Sequence, residues 1–580
     1  MVRSDLSPVY SHLVALYGQS TGDEVFERLR AILNPYRAPP PSYGKGGSDI
    51  LSERDSVLIT YVDQLYETDV QPLQTLTNFC KKYISEAINS IHLLPFFPYS
   101  SDDGFSVSDY RAVNPAFGDW EDVSHLGRNF RLMFDAVINH VSVQHEWFQA
   151  FLRDDPLYRD YFIVVNGDPD LSQVVRPRAL PLLTKFDTPS GVKQVWTTFS
   201  ADQIDLNFQN PNVLLEIIDI LLFYVDQGAQ LIRLDAIAYL WKEIGTGCIH
   251  LPQTHRIIQL FRAVLDVVAP HVLLITETNV PHRDNLSYFG NGSDEAQMVY
   301  NFALPPLVLH TFYTGNSRIL SNWAAGLTLP SNRTTFFNFL ASHDGIGITP
   351  ARGILSDSEI DAMIGRTTQH GGLVSYKDDP GGAPVPYELN INYFDALSDP
   401  RAAESLDTQV DRFMTAQAIM LALVGVPGIY FHSLFGSRSW REGVDLTGRN
   451  RTINRQKFDL PAFERELADD FSLRQQVFRR SVQLLQARRV SPAFHPHGEQ
   501  QVLDYGEALF ALLRVSPDGE QRVLCLHNVS NQPQNVMVAW KGVFPLPVDR
   551  LTDLITLTDH PLNSTLVLKP YQVLWLRIKE

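Results

Sequence analysis

Three acidic residues in this chain each close a short apolar run. Asp235 ends Ile232-Arg233-Leu234-Asp235, Glu277 follows Ile275-Thr276, and Asp344 lies in Ala341-Ser342-His343-Asp344-Gly345. An apolar run that ends in a carboxylate suits a buried strand carrying its charge to one end, and several such ends can meet in one pocket although distant in sequence. Two carboxyls placed that way can exchange a glycosidic bond with retention: one attacks the anomeric carbon, while the other first donates and then removes a proton. Any one of the three could equally be a strand-end or N-cap acid. Together, with Arg233 and His343 beside two of them, they argue for a site. Arg233 precedes Asp235 by two residues, so both side chains point the same way from one strand. A guanidinium there would keep a carboxylate nucleophile ionised, the alternative being a structural ion pair. His140, which closes Asp135-Ala136-Val137-Ile138-Asn139-His140, and His343 could hydrogen-bond sugar hydroxyls or be structural.

The elements that must position these groups are legible from Ser56 onward. Short β-rich runs at Val57–Tyr61, Ile91–Phe97, Leu132–Ile138, Leu231–Leu234, Val272–Thr276, Val299–Leu304, Phe336–Leu340 and Ile429–Phe431 alternate with helix-length connections. Eight such strands, apolar on both faces, predict an α/β fold, a (β/α)8 TIM barrel. The pattern divides the chain into a helical extension and linker at 1–55, a first barrel part at 56–142, and an inserted subdomain at 143–226. A second barrel part at 227–496 follows, with a loop insertion near 350–400 that includes the Gly/Pro-rich stretch Gly371 to Pro386. After Pro496 the alternating runs Ala508–Val515, Arg522–His527, Asn535–Trp540 and Leu566–Arg577 predict a C-terminal antiparallel β domain at 497–580. The N-terminal helices are expected to break at Pro35 to Pro41, with a Gly/Ser-rich linker after them.

Composition narrows the partners. Of 580 residues 44% are hydrophobic, and the net charge is −17, which disfavours nucleic acid or an anionic membrane as a main partner. Any anionic substrate must therefore be captured by a local cluster of cations. Met1 to Ser20 shows no apolar leader core. The three cysteines, Cys80, Cys248 and Cys525, have neither metal-ligand nor redox spacing and read as small buried residues of a cytoplasmic protein.

On these motifs the chain resembles glycoside hydrolase family 13, the α-amylase family, and within it the sucrose phosphorylase group. Leu58-Ile59-Thr60-Tyr61-Val62-Asp63, Leu94-Pro95-Phe96-Phe97-Pro98, Asp102-Asp103-Gly104-Phe105, Lys242-Glu243-Ile244-Gly245-Thr246, Phe302-Ala303-Leu304-Pro305-Pro306 and His343-Asp344-Gly345-Ile346-Gly347 carry the likeness. The resemblance implies that Asp235 is the nucleophile, Glu277 the general acid/base and Asp344 the stabiliser of an oxocarbenium-like transition state. It assigns Asp102, Phe105, His140, Phe199, Gln203, Arg233, His343 and Arg449 to a closed glucosyl subsite, with Arg449 opposite Asp102. Arg178, in Arg176-Pro177-Arg178-Ala179-Leu180-Pro181, and Tyr387, in Pro384-Val385-Pro386-Tyr387-Glu388, match residues that contact phosphate or the acceptor.

The chain departs from sucrose phosphorylases in its N-terminal extension, in Tyr430 to Arg438 and in Gly448 to Arg455. There it is more similar to glucosylglycerate and sucrose 6'-phosphate phosphorylases. The extra arginines suit an anionic acceptor such as glycerate, or serve as ion-pair partners in an acidic protein. The activity implied is a retaining α-glucosyl phosphorylase that makes α-D-glucose 1-phosphate, with 2-O-α-glucosylglycerate the favoured donor. Sucrose or sucrose 6'-phosphate as donor, or a hydrolase or transglucosidase on the same scaffold, are the alternatives. The partners implied are a small glucoside and inorganic phosphate, without metal, cofactor, nucleic acid or membrane, and a homodimer is left open.

Overall fold

The computed structural model describes residues 5–36, 50–378, 383–537, 543, 550–561 and 565–578. The expected linker falls at 37–49, outside the described residues, as do 379–382 of the Gly371 to Pro386 stretch and the last three residues of the Asn535–Trp540 run.

Eight parallel strands close into a barrel: Val57–Thr60 (β1), Ser90–Leu93 (β2), Arg131–Ala136 (β3), Ala229–Leu234 (β4), Leu273–Thr276 (β5), Met298–Tyr300 (β6), Thr335–Asn338 (β7) and Val426–Tyr430 (β8). Each pairs with its neighbour in sequence, and β8 returns to β1 through Val57 opposite Gly428. Their residues are almost wholly buried, which is why the runs read as continuous apolar segments rather than alternating ones. The register sets the chemistry. Asp135 on β3 lies opposite Arg233 on β4, and Leu234 lies opposite Thr276, so Asp235 and Glu277 leave adjacent strands side by side.

The connections are mostly helices, among them Pro72–Tyr83, Trp120–Gly127, Pro211–Asp226, Pro252–Val268, Leu304–Thr314, Leu406–Ala422 and Leu473–Arg489. Between β5 and β6 stand only the five-residue helix His282–Leu286 and a 3-10 turn, because Pro281 starts the helix late and Gly290 and Gly292, both at positive φ, turn the chain.

The stretch expected as an inserted subdomain holds two different things. Its first part forms a hairpin, Leu183–Thr188 with Gly191–Trp196, and a strand, Gln203–Asp205, paired with His140–Ser142. Its last part, Pro211–Asp226, is a barrel helix, capped by the Asn210 side chain, which accepts from the Asn212 N–H at 3.0 Å. This helix is apolar on more than one face because it is covered twice. The barrel lies beneath it and the N-terminal helix Gln19–Leu33 lies outside, while Ser7–Tyr17 packs on the next barrel helix, Pro252–Val268, and the Tyr17 hydroxyl donates to the Phe208 carbonyl at 2.9 Å. Val9, Leu13, Val25 and Leu29 are buried there, each stabilising the dock by roughly 1.5–3 kcal/mol.

The C-terminal region is antiparallel, as its alternation predicts. Six strands order as Glu499–Leu503, Leu509–Val515, Arg522–Asn528, Val573–Ile578, Arg550–Asp553 and Asp559–Pro561, and Gln534–Met537 pairs with Thr565–Leu568. The run Leu566–Arg577, expected as one strand, is two, because Pro570 and the left-handed Tyr571 (φ 53°) turn the chain between them. The cysteines are buried free thiols. Among the described residues no helix is long and apolar enough to cross a membrane.

One buried arginine ties three parts of the chain together below the barrel. Arg488 donates to the carbonyls of Leu421 (3.2 Å), Gly425 (3.1 Å), Asp55 (3.1 Å), Glu53 (2.5 Å) and Phe494 (3.2 Å). Arg488→Met leaves these carbonyls unpaired and is expected to cost about 3 kcal/mol or more. The thermal midpoint should fall while turnover per folded molecule is unchanged; an unaltered midpoint contradicts the assignment.

Candidate active site

At the C-terminal ends of the strands lies an inner cavity of about 70 Å³ that widens outward into a second of about 490 Å³. Asp235, Glu277 and Asp344 all face the inner one.

The charge at its floor is organised by Arg233. Its Nη1 donates both to Asp135 and, at 2.9 Å, to Asp235 Oδ1. Asp135 is fully buried and also accepts from His92 Nε2 at 2.8 Å. Burial alone would push Asp135 up, but Arg233 and His92 outweigh it and hold its carboxyl at about 2. The guanidinium is further packed over the rings of Tyr300 (5.4 Å) and Phe105 (5.8 Å).

Glu277 has a different environment. Its Oε2 accepts from the Ala236 N–H at 3.1 Å, a bond made possible by the left-handed backbone of Ala236 (φ 49°) directly after Asp235. Burial raises the Glu277 pKa above the ordinary carboxyl value. Burial and the nearby Glu277 push Asp235 up as well, with Arg233 pulling against them. Two carboxyls this near do not both ionise readily, and the shared proton belongs on Glu277, because Asp235 has the guanidinium and Glu277 only a backbone N–H. That division leaves one carboxylate and one carboxylic acid.

The opposite wall carries Asp344 and Asp102. Burial pushes Asp344 up, but Arg451, with Nη1 at 2.6 Å, and Arg455, with Nη2 at 3.5 Å, hold it well below the usual carboxylate range. His343 is driven down to about 3 by burial and is neutral; its ring stacks on Phe105 at 4.8 Å and 7°. Asp102, Asp103 and Gly104 are consecutive left-handed residues (φ 54°, 50° and 109°). Arg455 spans this turn, 2.6 Å from Asp103 Oδ2 and 4.0 Å from Asp102 Oδ1, and donates to the His343 carbonyl at 2.8 Å. Asp102 also meets Arg178 and Gln203, each at 3.4 Å. His140 donates to the Phe105 carbonyl at 2.9 Å and faces the Phe199 ring at 5.2 Å.

Two glycines after Asp344 let neighbouring side chains approach the backbone closely. A Cβ on Gly345 would lie 2.6 Å from Glu388 Cγ, and one on Gly347 would lie 2.7 Å from Asn279 Oδ1. Asn279 donates to the Tyr387 hydroxyl at 3.3 Å, and the Gly345 N–H donates to Glu388. Two buried polar atoms beside the cavity, His343 Nδ1 and Asn279 Oδ1, have no hydrogen-bond partner among the described residues.

Residues 81–344 match the α-amylase catalytic-domain family. The chain is 52% identical over 578 residues to a glucosylglycerate phosphorylase of Spirochaeta thermophila, covering 97% of each. The chain belongs to the α-amylase family. A sucrose phosphorylase of Agrobacterium vitis is 29% identical, covering 78% of this chain and 91% of its own. The crystal structure of sucrose 6F-phosphate phosphorylase from Thermoanaerobacter thermosaccharolyticum superposes with a TM-score of 0.71 at 25% identity, covering 82% of this chain and 94% of that one.

Against the family expectation, the structure brings Asp102, Phe105, His140, Phe199, Gln203, His343, Arg178 and Tyr387 onto the same inner cavity as the three carboxyls, with Arg233 beneath them. Arg449 is the exception and a correction. It is exposed at the rim of the outer cavity, and the arginines that reach Asp102 are Arg178, at 3.4 Å, and the buried Arg455, at 4.0 Å. The helix Arg441–Thr447 ends on left-handed Gly448, so Arg449 leaves extended at the rim, and the 3-10 turn that follows carries Arg451 and Arg455 inward. Asp135 and Glu388 escaped the sequence reading, whereas Arg451 and Arg455 are among the extra arginines of Gly448 to Arg455, and the structure makes both ion-pair partners of Asp344. Lys242, in a motif that carried the family likeness, is a brace rather than a wall: its buried Nζ meets Asp205 Oδ2 at 2.6 Å and Asn139 Oδ1 at 2.8 Å.

A raised Glu277 gives an alkaline limb. A Glu277 that serves as general acid must be protonated, so kcat/KM is expected to fall as pH rises through its raised pKa. Glu277→Gln should remove that limb and lower glucoside cleavage by about 10²–10⁴-fold, with α-glucosyl fluoride, whose leaving group needs no proton, losing far less. Equal losses on both substrates contradict the assignment.

Proposed function

We propose that this enzyme is a retaining α-glucosyl phosphorylase that cleaves 2-O-α-glucosylglycerate with inorganic phosphate, releasing glycerate and α-D-glucose 1-phosphate in the cytoplasm. The observation that carries the reading is the meeting of the Asp235–Glu277 pair with Arg178 and Tyr387 in one cavity, in a chain alike over nearly its full length to a glucosylglycerate phosphorylase.

Asp235 attacks the anomeric carbon as Glu277 protonates the departing glycerate oxygen. Phosphate then attacks the glucosyl-enzyme from the vacated side, and Glu277 takes up its proton, so two inversions give retention. Asp344, kept ionised by Arg451 and Arg455, faces the positive charge that builds on the sugar ring. The Phe105–His343 stack walls the inner cavity and the Asp102–Arg455 pair narrows its mouth, an enclosure that suits a single glucosyl unit and excludes a longer chain. Water loses to phosphate when a cation and a hydroxyl stand beside the attacking position, the roles given to Arg178 and Tyr387.

The test measures glucose 1-phosphate and free glucose released from glucosylglycerate, sucrose, sucrose 6'-phosphate and glucosylglycerol, each with and without phosphate. Glucose 1-phosphate from glucosylglycerate that vanishes without phosphate is the expected result, and Arg178→Ala should raise KM for phosphate by about tenfold or more. Free glucose at the same rate in both conditions would make the enzyme a hydrolase.

A further inference from the structure

Arg178 reaches both cavities from a stretch of chain, Val165 to Leu182, that has neither helix nor strand. Its side chain is partly exposed, and its one ionic contact among the described residues is Asp102 at 3.4 Å. A charged group on a long irregular segment keeps its place only if the segment itself is pinned. This one is pinned on both sides of Arg178. Val175 donates its N–H to the Gly247 carbonyl at 3.0 Å, and the Leu182 carbonyl accepts from the Thr197 N–H at 2.8 Å. Arg178 lies in the short arc between, Arg176 to Pro181, stiffened by Pro177 and Pro181 and closed by the Arg176 side chain on the Leu180 carbonyl.

The same segment shares a small apolar cluster separate from the barrel core. Val165, Val174 and Leu182 come from the segment, Trp196 from the hairpin beside it, and Cys248 from the loop after β4. Satellite clusters of this kind form under long loops. The β4 loop takes strain to join it. Cys248 has φ 51°, and Gly245 and His250 on either side are also left-handed, at 91° and 55°. For a residue other than glycine that conformation costs of order 1–3 kcal/mol. Through it Cys248 enters the cluster while Gly247, just before, offers its carbonyl to Val175. The loop is braced in turn by the His250 N–H on the carbonyl of Ala238, which lines the inner cavity with Asp235. The arc that carries Arg178 is thus tied to the loop that follows Asp235.

We infer that this cluster, through Val174 and Cys248, positions Arg178 and so sets how the glucosyl-enzyme divides between phosphate and water. The inference rests on the reading of Arg178 as the phosphate contact and names the residues that hold it there. Val174 and Cys248 line neither cavity, so they are positioning residues that act on substrate only through the arc. Phosphate outcompetes water only while the guanidinium stands beside the attacking position. A loosened arc weakens the capture of phosphate and leaves the attack of water, which needs no cation, as it was.

The experiment gives the full-length enzyme α-glucosyl fluoride at a series of phosphate concentrations. It reads the concentration at which glucose 1-phosphate and glucose form at equal initial rates. That concentration is independent of folded fraction and of the glucosylation step, which both products share. Val174→Ala should raise it by about 3- to 30-fold, and by less than about twofold in an Arg178→Ala background, since the cluster acts through Arg178. If Val174→Ala yields too little folded enzyme, Cys248→Ala is read in the same two backgrounds and should raise the concentration at least about threefold in the first. An unchanged concentration in the cluster variant, beside a raised one in Arg178→Ala, overturns the inference. An equal rise in both backgrounds overturns it too. An Arg178→Ala enzyme that divides its products as the parent does overturns the phosphate reading on which the inference rests.

Discussion

Every charged group that does chemistry here is buried beside others of the same sign, and the site exists only because arginines are built in among them. Asp135, Asp235, Glu277, Asp344 and Asp102 crowd one end of a barrel, where desolvation opposes ionisation of each. Arg233 answers for Asp135 and Asp235, Arg451 for Asp344 and Glu388, and Arg455 for Asp344 and the Asp102–Asp103 turn. Glu277 alone among the three carboxyls at the reacting centre lacks a guanidinium in contact, and that omission gives it the proton. In the proposed mechanism acid and nucleophile differ by which neighbour each received.

The same economy explains the strained backbone. Ala236 and the Asp102–Asp103 pair adopt left-handed conformations that cost of order 1–3 kcal/mol each for residues other than glycine. Each is held by a contact at the site: the Ala236 N–H on Glu277, and Arg455 across Asp102 and Asp103. These bonds place an N–H or a carboxylate where a relaxed turn would not. The barrel supplies rigid strand ends, and the turns immediately after them supply the aim.

The strands and the carboxyls they carry were legible because a strand buried on both faces writes its whole length in apolar residues, and a charge at its end stands out. Asp235, Glu277 and Asp344 each broke such a run. Arg449 misled because adjacency to Gly448 marks a helix end, whereas which arginine turns inward depends on the 3-10 turn after it. Glu388 left no signal at all, since its burial arises from Gly345 yielding space across the sheet pairing of Ile346 with Leu389. Asp135 stands in a motif that gives it no role by itself, because its meaning is the cross-strand register with Arg233. Acceptor-side residues come from loops and hairpins joined by tertiary contact, and no periodicity in the chain reports such contacts.

The central claim is that Arg233 keeps Asp235 ionised as the group that accepts the glucosyl unit. Incubation with 5-fluoro-α-glucosyl fluoride, followed by digestion and mass spectrometry, tests it directly. The account predicts one added fluoroglucosyl unit on the peptide containing Asp235, and recovery of activity on addition of phosphate. An unlabelled Asp235 peptide in fully inactivated enzyme, with the adduct on Glu277 or Asp344, would contradict it.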